Sequence, residues 1–281
     1  MDMIPGKIGV FDSGYGGLTI LKDLRSRLPQ YDYLYLGDNA RAPYGNRSFD
    51  LIYRFTLEAV EELFARGCNL IILACNTASA KALRTIQMRD LPRIDPRKRV
   101  LGVIRPTAEI SGQLTRNGHI GVLATRGTID SGSYDIEIAK LYPDTTVTGQ
   151  ACPMWVYLIE QNEGLGPGAD YFVRKYIDEL KKKDPLIDTI ILGCTHYPIL
   201  APKIRNYVDE QVRIVGQGDI VADSLADYLR RHPEMERACS HGASVSFLTT
   251  ENPVRFSELA SIFMGAHVEA EGITLQPTHS L

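Results

Sequence analysis

Short apolar runs alternate with amphipathic stretches along almost the whole chain. The clearest apolar runs lie at 7–12, 33–37, 69–74, 119–124 and 188–192. Consecutive apolar residues of this kind are typical of strands that are buried on both faces of a parallel sheet. The stretches between them place apolar residues at helical spacing, as in 17–28, 49–66 and 130–141. The pattern therefore predicts an α/β fold in which mostly parallel sheets are flanked by helices.

One segment in the middle of this alternation differs from the rest. Residues 89–99 are charged and interrupted by two prolines, so they are the best linker candidate in the chain. A predicted helix at 77–88 precedes this segment, and a predicted strand at 100–104 follows it. The sequence thus predicts two α/β units. The apolar run 212–215 and the helix predicted at 219–231 could extend either unit.

The composition and charge of the chain argue against several classes of protein. The chain has 281 residues, of which 44% are hydrophobic and 23% charged, as in an ordinary globular protein. Its net charge of -3 and its lack of a long Lys/Arg run argue against nucleic acid as a partner. No apolar run approaches the length of a membrane span, and no signal-like segment precedes the first strand. We therefore expect a cytoplasmic protein without membrane attachment.

Five scattered cysteines are expected to be reduced thiols, because they lack the density of a disulfide framework. They are Cys68, Cys75, Cys152, Cys194 and Cys239. Two of them, Cys75 and Cys194, follow predicted strands and precede small polar residues and a helix. The carboxyl ends of parallel strands are where such sheets bind ligands, and N–H donors there can depress a thiol pKa. Two such thiols could act as a pair of proton-transfer groups.

Each cysteine taken alone is more simply a small buried apolar residue, and it is their recurrence in both halves that favours function. Cys194 and His196 share a face of an extended segment, so His196 could hold or relay a proton. Asp12, at the end of the first strand, is suited to accept a hydrogen bond from an ammonium group or to orient a neighbouring acid. A helix cap formed by Asp12 or Ser13 explains that loop equally well.

Three other kinds of site would use the same residues. Zinc would need Cys75, Cys194 and His196 to converge, but the chain lacks the closely spaced ligand pairs of structural zinc sites. A Cys-His nucleophile in a hydrolase or transferase is a stronger rival, although it leaves the second cysteine unexplained. A non-catalytic amino-acid binder is the third alternative.

An ordered set of short motifs spans most of the chain. The motifs lie at 8–18, 37–38, 42–45, 74–78, 124–128, 151–153 and 193–198. Each is modest alone, but the full set in this order closely resembles the glutamate racemases. It is distinct from the aspartate and hydantoin racemases that share the broader superfamily fold.

The resemblance implies two similar α/β domains with the active site in the cleft between them. Residues 1–98 together with about 212–281 would form the first domain, and residues 99–211 the second. It also implies interconversion of L- and D-glutamate, supplying D-glutamate for peptidoglycan, with a small-molecule substrate and without a cofactor or a metal. A homodimer is compatible with the resemblance.

The resemblance also assigns roles residue by residue. Cys75 would remove the α-proton of D-glutamate with the help of Asp12, and Cys194 would remove that of L-glutamate with the help of His196. The substrate would be held by Ser13, Pro43, Tyr44, Gly45, Asn76, Thr77, Thr125, Thr128, Glu160 and Thr195.

Elementary chemistry agrees with a pair of thiols. Inverting a stereocentre by deprotonation requires a base on one face and an acid on the other, and the two exchange roles in reverse. Without a pyridoxal electron sink, fixed donors and exclusion of water must stabilise the carbanionic state. None of the motifs contains a lysine that could form a cofactor Schiff base.

Three positions stay open at this point. A glutamate after 151–153 belongs to the family's site, and Glu160 fits that pattern better than Glu163. Arg105 stands where many relatives have a glutamate, and Gln217 replaces the serine of a common Asp-Ser-Gly, so the resemblance does not fix their roles. The alternative function is a racemase of another acidic amino acid, or the thiol-dependent hydrolase or transferase considered above.

Overall fold

The computed structural model describes residues 3–276, which form two sheets of parallel strands. The strands are β1 (Ile8–Asp12), β2 (Tyr33–Gly37), β3 (Leu70–Leu73), β4 (Arg99–Gly102), β5 (His119–Ala124), β6 (Thr146–Ala151), β7 (Thr189–Gly193), β8 (Arg213–Val215), β9 (Val245–Thr249) and β10 (Ala270–Gly272). The first sheet has the order β10-β9-β2-β1-β3-β4, and the second has the order β6-β5-β7-β8. The predicted α/β fold is confirmed. Residues 1–2 and 277–281, which the prediction assigned to the first domain, lie outside the described part.

Helices cover the faces of both sheets. They are α1 (Gly17–Arg27), α2 (Phe49–Ala65), α3 (Asn76–Lys81), α4 (Leu83–Thr85), α5 (Leu91–Ile94), α6 (Ile104–Leu114), α7 (Arg126–Asp130), α8 (Ser133–Leu141), α9 (Trp155–Glu160), α10 (Pro167–Lys183), α11 (Ala201–Arg205), α12 (Gly218–Arg231), α13 (Pro233–Arg237) and α14 (Pro253–Met264). A π-helical turn at Ile86–Asp90 joins α4 to α5, and 3-10 helices lie at Asn39–Arg41 and Tyr197–Leu200. None of the helices within residues 3–276 combines the length and apolarity needed to cross a membrane.

The central strand β1 shows how the sequence pattern builds the first core. Ile8 and Val10 pack with α1, α12 and α14 on one face, and Phe11 packs with α2 on the other. All three side chains are fully buried. Since burying an apolar side chain of this size contributes about 1.5–3 kcal/mol, both faces of the strand stabilise the sheet. The six-stranded sheet and its helices are called the first lobe below, and the four-stranded sheet and its helices the second lobe.

Two predicted local elements differ from the structure. The predicted linker at 89–99 is largely helical, because Pro92 lies in the first turn of α5, where a missing N–H costs no hydrogen bond. The helix predicted at 130–141 begins later, as α8 (Ser133–Leu141), and a short helix that was not predicted, α7 (Arg126–Asp130), precedes it. Gly132, with a φ of 62°, separates them by turning the chain through the left-handed region.

The sheets also place the two crossings between the lobes later than predicted. The strand expected to open the second domain is β4, and it pairs with β3 in the first sheet. The strand at 212–215, which the predicted division placed in the first domain, is β8 and pairs with β7 in the second sheet. The chain therefore passes to the second lobe after Gly102 and returns after Val215. Strand pairing is a long-range contact, and local periodicity does not specify it.

Candidate active site

Both predicted thiols line one small cavity between the lobes. Cys75 lies just beyond β3 of the first lobe, and Cys194 immediately follows β7 of the second. The cavity measures about 30 Å³, which is room for one or two water molecules.

The polar contacts of the Cys75 thiol are with neutral groups. It lies 3.5 Å from Ser13 Oγ, and it accepts a hydrogen bond from the Ala78 N–H at 3.5 Å as the cap of α3. Burial raises the pKa of the Cys75 thiol to about 12, and the nearby charge of Asp12 acts in the same direction. In the substrate-free protein Cys75 is therefore held mainly as the neutral thiol.

The Asp12 carboxylate joins the two lobes, and its hydrogen bonds go to Gly14 and Thr195 rather than to Cys75. Its Oδ2 accepts the Gly14 N–H at 2.9 Å, and its Oδ1 accepts the Thr195 hydroxyl of the second lobe at 3.3 Å. Burial raises the pKa of Asp12, while the charge of His196 and backbone N–H groups oppose that rise. Any support that Asp12 gives to Cys75 in this structure acts through its charge.

The Cys194 thiol has a charged pair beside it. Cys194 Sγ lies 3.9 Å from His196 Nδ1, and His196 Nε2 lies 3.1 Å from Glu160 Oε1. Burial disfavours the imidazolium, but the contacts with Cys194 and Glu160 outweigh it and raise the pKa of His196 well above its ordinary value. The Cys194 side of the cleft thus contains a buried cation next to the sulfur.

Two local features place the pair of His196 and Glu160 next to the first lobe. Glu160 ends α9 with its side chain 18% exposed, whereas Glu163 is exposed in the following turn. On the other side, a Cβ on Gly16 would lie 2.3 Å from Thr195 Oγ1 and 2.4 Å from His196 Nδ1. Gly16 is therefore required for close approach of the lobes, a role that the sequence indicated only as part of a glycine-rich loop.

Three threonine hydroxyls meet where α3 faces α7. Thr77 Oγ1 lies 2.9 Å from Thr125 Oγ1 and 3.3 Å from Thr128 Oγ1. Thr125 caps α7, and its hydroxyl lies 3.1 Å from that of Thr128. All three side chains are buried, and the first two line the cavity. The cluster offers hydroxyl donors to an anionic group that displaces these mutual contacts.

The loop at 43–45 covers the cavity from the first lobe. Pro43, Tyr44 and Gly45 all line it, and the Tyr44 hydroxyl donates to Asp38. The Gly45 carbonyl accepts the Gly127 N–H of the second lobe at 2.8 Å. The loop therefore closes the cleft by a backbone contact between the lobes.

The structure brings every predicted site residue except Asp12 and Thr128 to the cavity wall, and those two contact residues that line it. Sequence reasoning missed four further lining residues, which are Asn46, Pro153, Val156 and Tyr157. Only Pro153 carried a signal, because it belongs to the motif at 151–153. Asn76 lies at the cavity, but its amide is hydrogen-bonded to Gln217 and Tyr134.

No group of three His, Cys, Asp or Glu side chains within residues 3–276 is arranged to hold a metal ion. The site presents a pair of thiols at the carboxyl ends of strands from the two lobes. Both thiols line one cavity, and each has different polar neighbours. Such a pair on an α/β fold is typical of racemases, a class of enzymes that need one proton-transfer group on each side of the reacting carbon.

Comparison with known proteins agrees with this class. Residues 19–225 match the model of the Asp/Glu/hydantoin racemase family. The chain is 42% identical to a glutamate racemase of Ruegeria pomeroyi, over 92% of this chain and 96% of that one. The protein belongs to the Asp/Glu/hydantoin racemase family and, within it, groups with the glutamate racemases. It is an amino-acid racemase, as the sequence predicts.

Solved structures are similar over nearly the full length. A glutamate racemase isoform of Bacillus anthracis superposes with a TM-score of 0.87 at 32% identity, covering 96% of this chain and 98% of that one. The glutamate racemase of Francisella tularensis in complex with D-glutamate gives 0.84 at 33% identity, with coverage of 98% and 99%. The predicted two-lobed fold is thus shared with this group.

Proposed function

We propose that this protein interconverts L- and D-glutamate by proton transfer between two cysteines, without a cofactor. The observation that carries the proposal is the position of Cys75 and Cys194 on one cavity, at strand ends of opposite lobes. The bound D-glutamate of the Francisella tularensis relative supports glutamate as the substrate. Supply of D-glutamate for peptidoglycan, in the cytoplasm, is the corresponding role in the cell.

In one direction the Cys75 thiolate removes the α-proton of D-glutamate, and the Cys194 thiol delivers a proton to the opposite face. In the other direction, Cys194 removes the α-proton of L-glutamate and Cys75 delivers one. Each turnover moves one proton onto one sulfur and one proton off the other, so the two thiols exchange protonation states. The His196 imidazolium attracts the negative charge that develops on Cys194 during transfer.

The remaining polar groups fit the parts of the substrate that do not react. The hydroxyls of Ser13, Thr77 and Thr125 are donors for carboxylate oxygens. Asp12 and Glu160 carry acceptors for the ammonium group. The small cavity excludes bulk water from the carbanionic state, which strengthens these interactions.

The test is incubation of purified protein with L-glutamate in heavy water. We expect optical rotation to fall to zero while deuterium enters the α-position. Glutamate that binds tightly without α-exchange would indicate an amino-acid binder, and a stable acyl-enzyme mass adduct would indicate a thiol nucleophile. A parallel incubation with L-aspartate separates this activity from that of a racemase for another acidic amino acid.

The absence of a cofactor is tested in the same preparation. We expect no visible absorbance, full activity in the presence of a chelator, and inactivation by thiol alkylation from which glutamate protects. Recovery of a dialysed, inactive sample on addition of pyridoxal phosphate or zinc would overturn this part of the proposal.

A further inference from the structure

Gln217, a departure from the family pattern, lies at a crossing between the lobes. It is 3% exposed and immediately precedes α12. Here the chain leaves β8 of the second lobe for α12, which packs against α1 of the first lobe. Val103 stands at the other crossing, between β4 and α6. A hydrogen bond from Gln217 to α6, which follows Val103, links the two segments that join the lobes.

The carboxamide of Gln217 completes a closed ring of hydrogen bonds. Asn76 Nδ2 donates to Gln217 Oε1 at 2.7 Å, and Gln217 Nε2 donates to Tyr134 Oη at 2.8 Å. Tyr134 Oη in turn donates to Asn76 Oδ1 at 2.8 Å. Since each side chain both donates and accepts, the ring pairs both polar atoms of the buried Asn76 amide. The orientation of that amide is therefore fixed.

The second N–H of Gln217 reaches the other crossing. Nε2 lies 2.8 Å from Thr107 Oγ1 and 3.2 Å from the Val103 carbonyl oxygen. An amide nitrogen carries two hydrogens, and one of them belongs to the ring, so the shorter contact with Thr107 takes the other. One side chain thus ties α6 to the ring that holds Asn76.

We propose that Gln217 is a positioning residue for Cys75. Asn76 is the first residue of α3 and directly follows Cys75, so fixing its amide fixes the turn that carries the thiol. The thiol's own polar contacts, with Ser13 and the Ala78 N–H, are long at 3.5 Å each. The hydrogen-bonded ring orients the turn at Cys75, which these long contacts do not do. This inference rests on the proposed function, in which Cys75 is one of two proton-transfer groups.

Three near-isosteric variants separate positioning from a purely structural role. Gln217→Met and Tyr134→Phe open the ring. Thr107→Val removes two hydrogen bonds outside the ring, those of the Thr107 hydroxyl with Gln217 Nε2 and with the Val103 carbonyl, and is the matched control. The first two should lower kcat about ten- to a hundredfold with little change in KM, because a displacement of about 1 Å at a reacting group has effects of that order. Since both substitutions open the same ring, the double variant should be no worse than the poorer single variant.

A second readout does not depend on the substrate. In the substrate-free protein, the ratio of iodoacetamide alkylation rates at Cys75 and Cys194 should change in Gln217→Met and Tyr134→Phe and stay at the wild-type value in Thr107→Val. Lower thermal stability with an unchanged ratio and unchanged kcat would overturn the inference. If the wild type fails to racemise glutamate, the proposed function fails, and the alkylation ratio still decides whether Gln217 positions Cys75.

Discussion

The two thiol-bearing halves of the cleft share a backbone plan but differ in charge. Cys75 and Cys194 both follow a parallel strand, and both are at most 7% exposed. Cys194 has the His196 ring at 3.9 Å, with Glu160 bound to the far side of that ring. Cys75 has a neutral hydroxyl and a backbone N–H as its polar contacts, and the largest effect of a charge on it comes from the carboxylate of Asp12.

The difference teaches that a site for mirror-image substrates need not have mirror-image electrostatics. Enantiomers have equal free energy, so kcat/KM must be the same in both directions for the wild type and for every variant. An asymmetry between the thiols can show only in separate kcat and KM values and in isotope effects. Each prediction below therefore tests one half of the site against the other.

Replacing either thiol should have the largest effect. Cys75→Ser and Cys194→Ser should each lower the rate of racemisation by about 10²–10⁴-fold or more, because a one-base site cannot deliver a proton to the opposite face. Cys239→Ser, which changes a buried thiol outside the cavity, is the matched control. Polarimetry measures the rates, and circular dichroism checks the fold. Racemisation at the wild-type rate in Cys75→Ser or Cys194→Ser would contradict the two-thiol mechanism.

The second prediction concerns the charged pair behind Cys194. His196→Asn and Glu160→Gln should each lower kcat about ten- to a hundredfold. The first removes the imidazolium beside the Cys194 sulfur, and the second removes the carboxylate that stabilises this imidazolium. The contact with Glu160 helps to raise the pKa of His196, so in Glu160→Gln the imidazolium should deprotonate at lower pH. The fall of kcat as pH rises should therefore shift to lower pH.

The exposed Glu163 supplies the control for this prediction. Glu163→Gln should keep the wild-type pH profile. A Glu160→Gln profile that coincides with the wild type would mean that Glu160 does not maintain the charge on His196.

The pH dependence of alkylation should distinguish Cys75 from an ordinary thiol. Burial raises the pKa of Cys75 to about 12, so its thiolate is scarce at neutral pH. Its alkylation rate in the substrate-free protein should rise about tenfold for each pH unit between about pH 7 and 9, whereas an ordinary thiol levels off above about pH 8.5. Mass spectrometry of the Cys75 peptide measures the rate. A plateau near pH 8.5 would contradict the buried environment assigned to this thiol.

The smallest effect should be on primary α-deuterium isotope effects. Asp12→Asn should enlarge the effect mainly for D-glutamate, and His196→Asn mainly for L-glutamate, because weakening one thiol as a base makes its step more rate-limiting. Initial rates with α-deuterated substrates measure both. Asp12 is hydrogen-bonded to Thr195 of the other lobe, so equal changes for both enantiomers in Asp12→Asn would show that it shapes the whole cleft.

The sequence by itself determined the local elements and the place of the two thiols. β2 and β5 begin and end where their apolar runs do, and Cys75 and Cys194 lie at strand ends as predicted. These features could be predicted because burial on two faces gives a local pattern, and the residue that follows such a run emerges at the sheet edge. The ordered motifs also indicated the family, because each motif can be recognised in the sequence without knowing which distant residues it contacts.

Only the tertiary structure decided which side chains meet. Asp12 bonds Thr195 across 183 positions, and Asn76 bonds Gln217 across 141. Membership of β4 and β8 in their sheets was decided in the same way, by pairing with β3 and β7. Such contacts depend on how the two lobes dock and on which strand reaches a free sheet edge. A sequence pattern specifies the kind of residue at each position, whereas its distant partner is fixed only when the whole chain is packed.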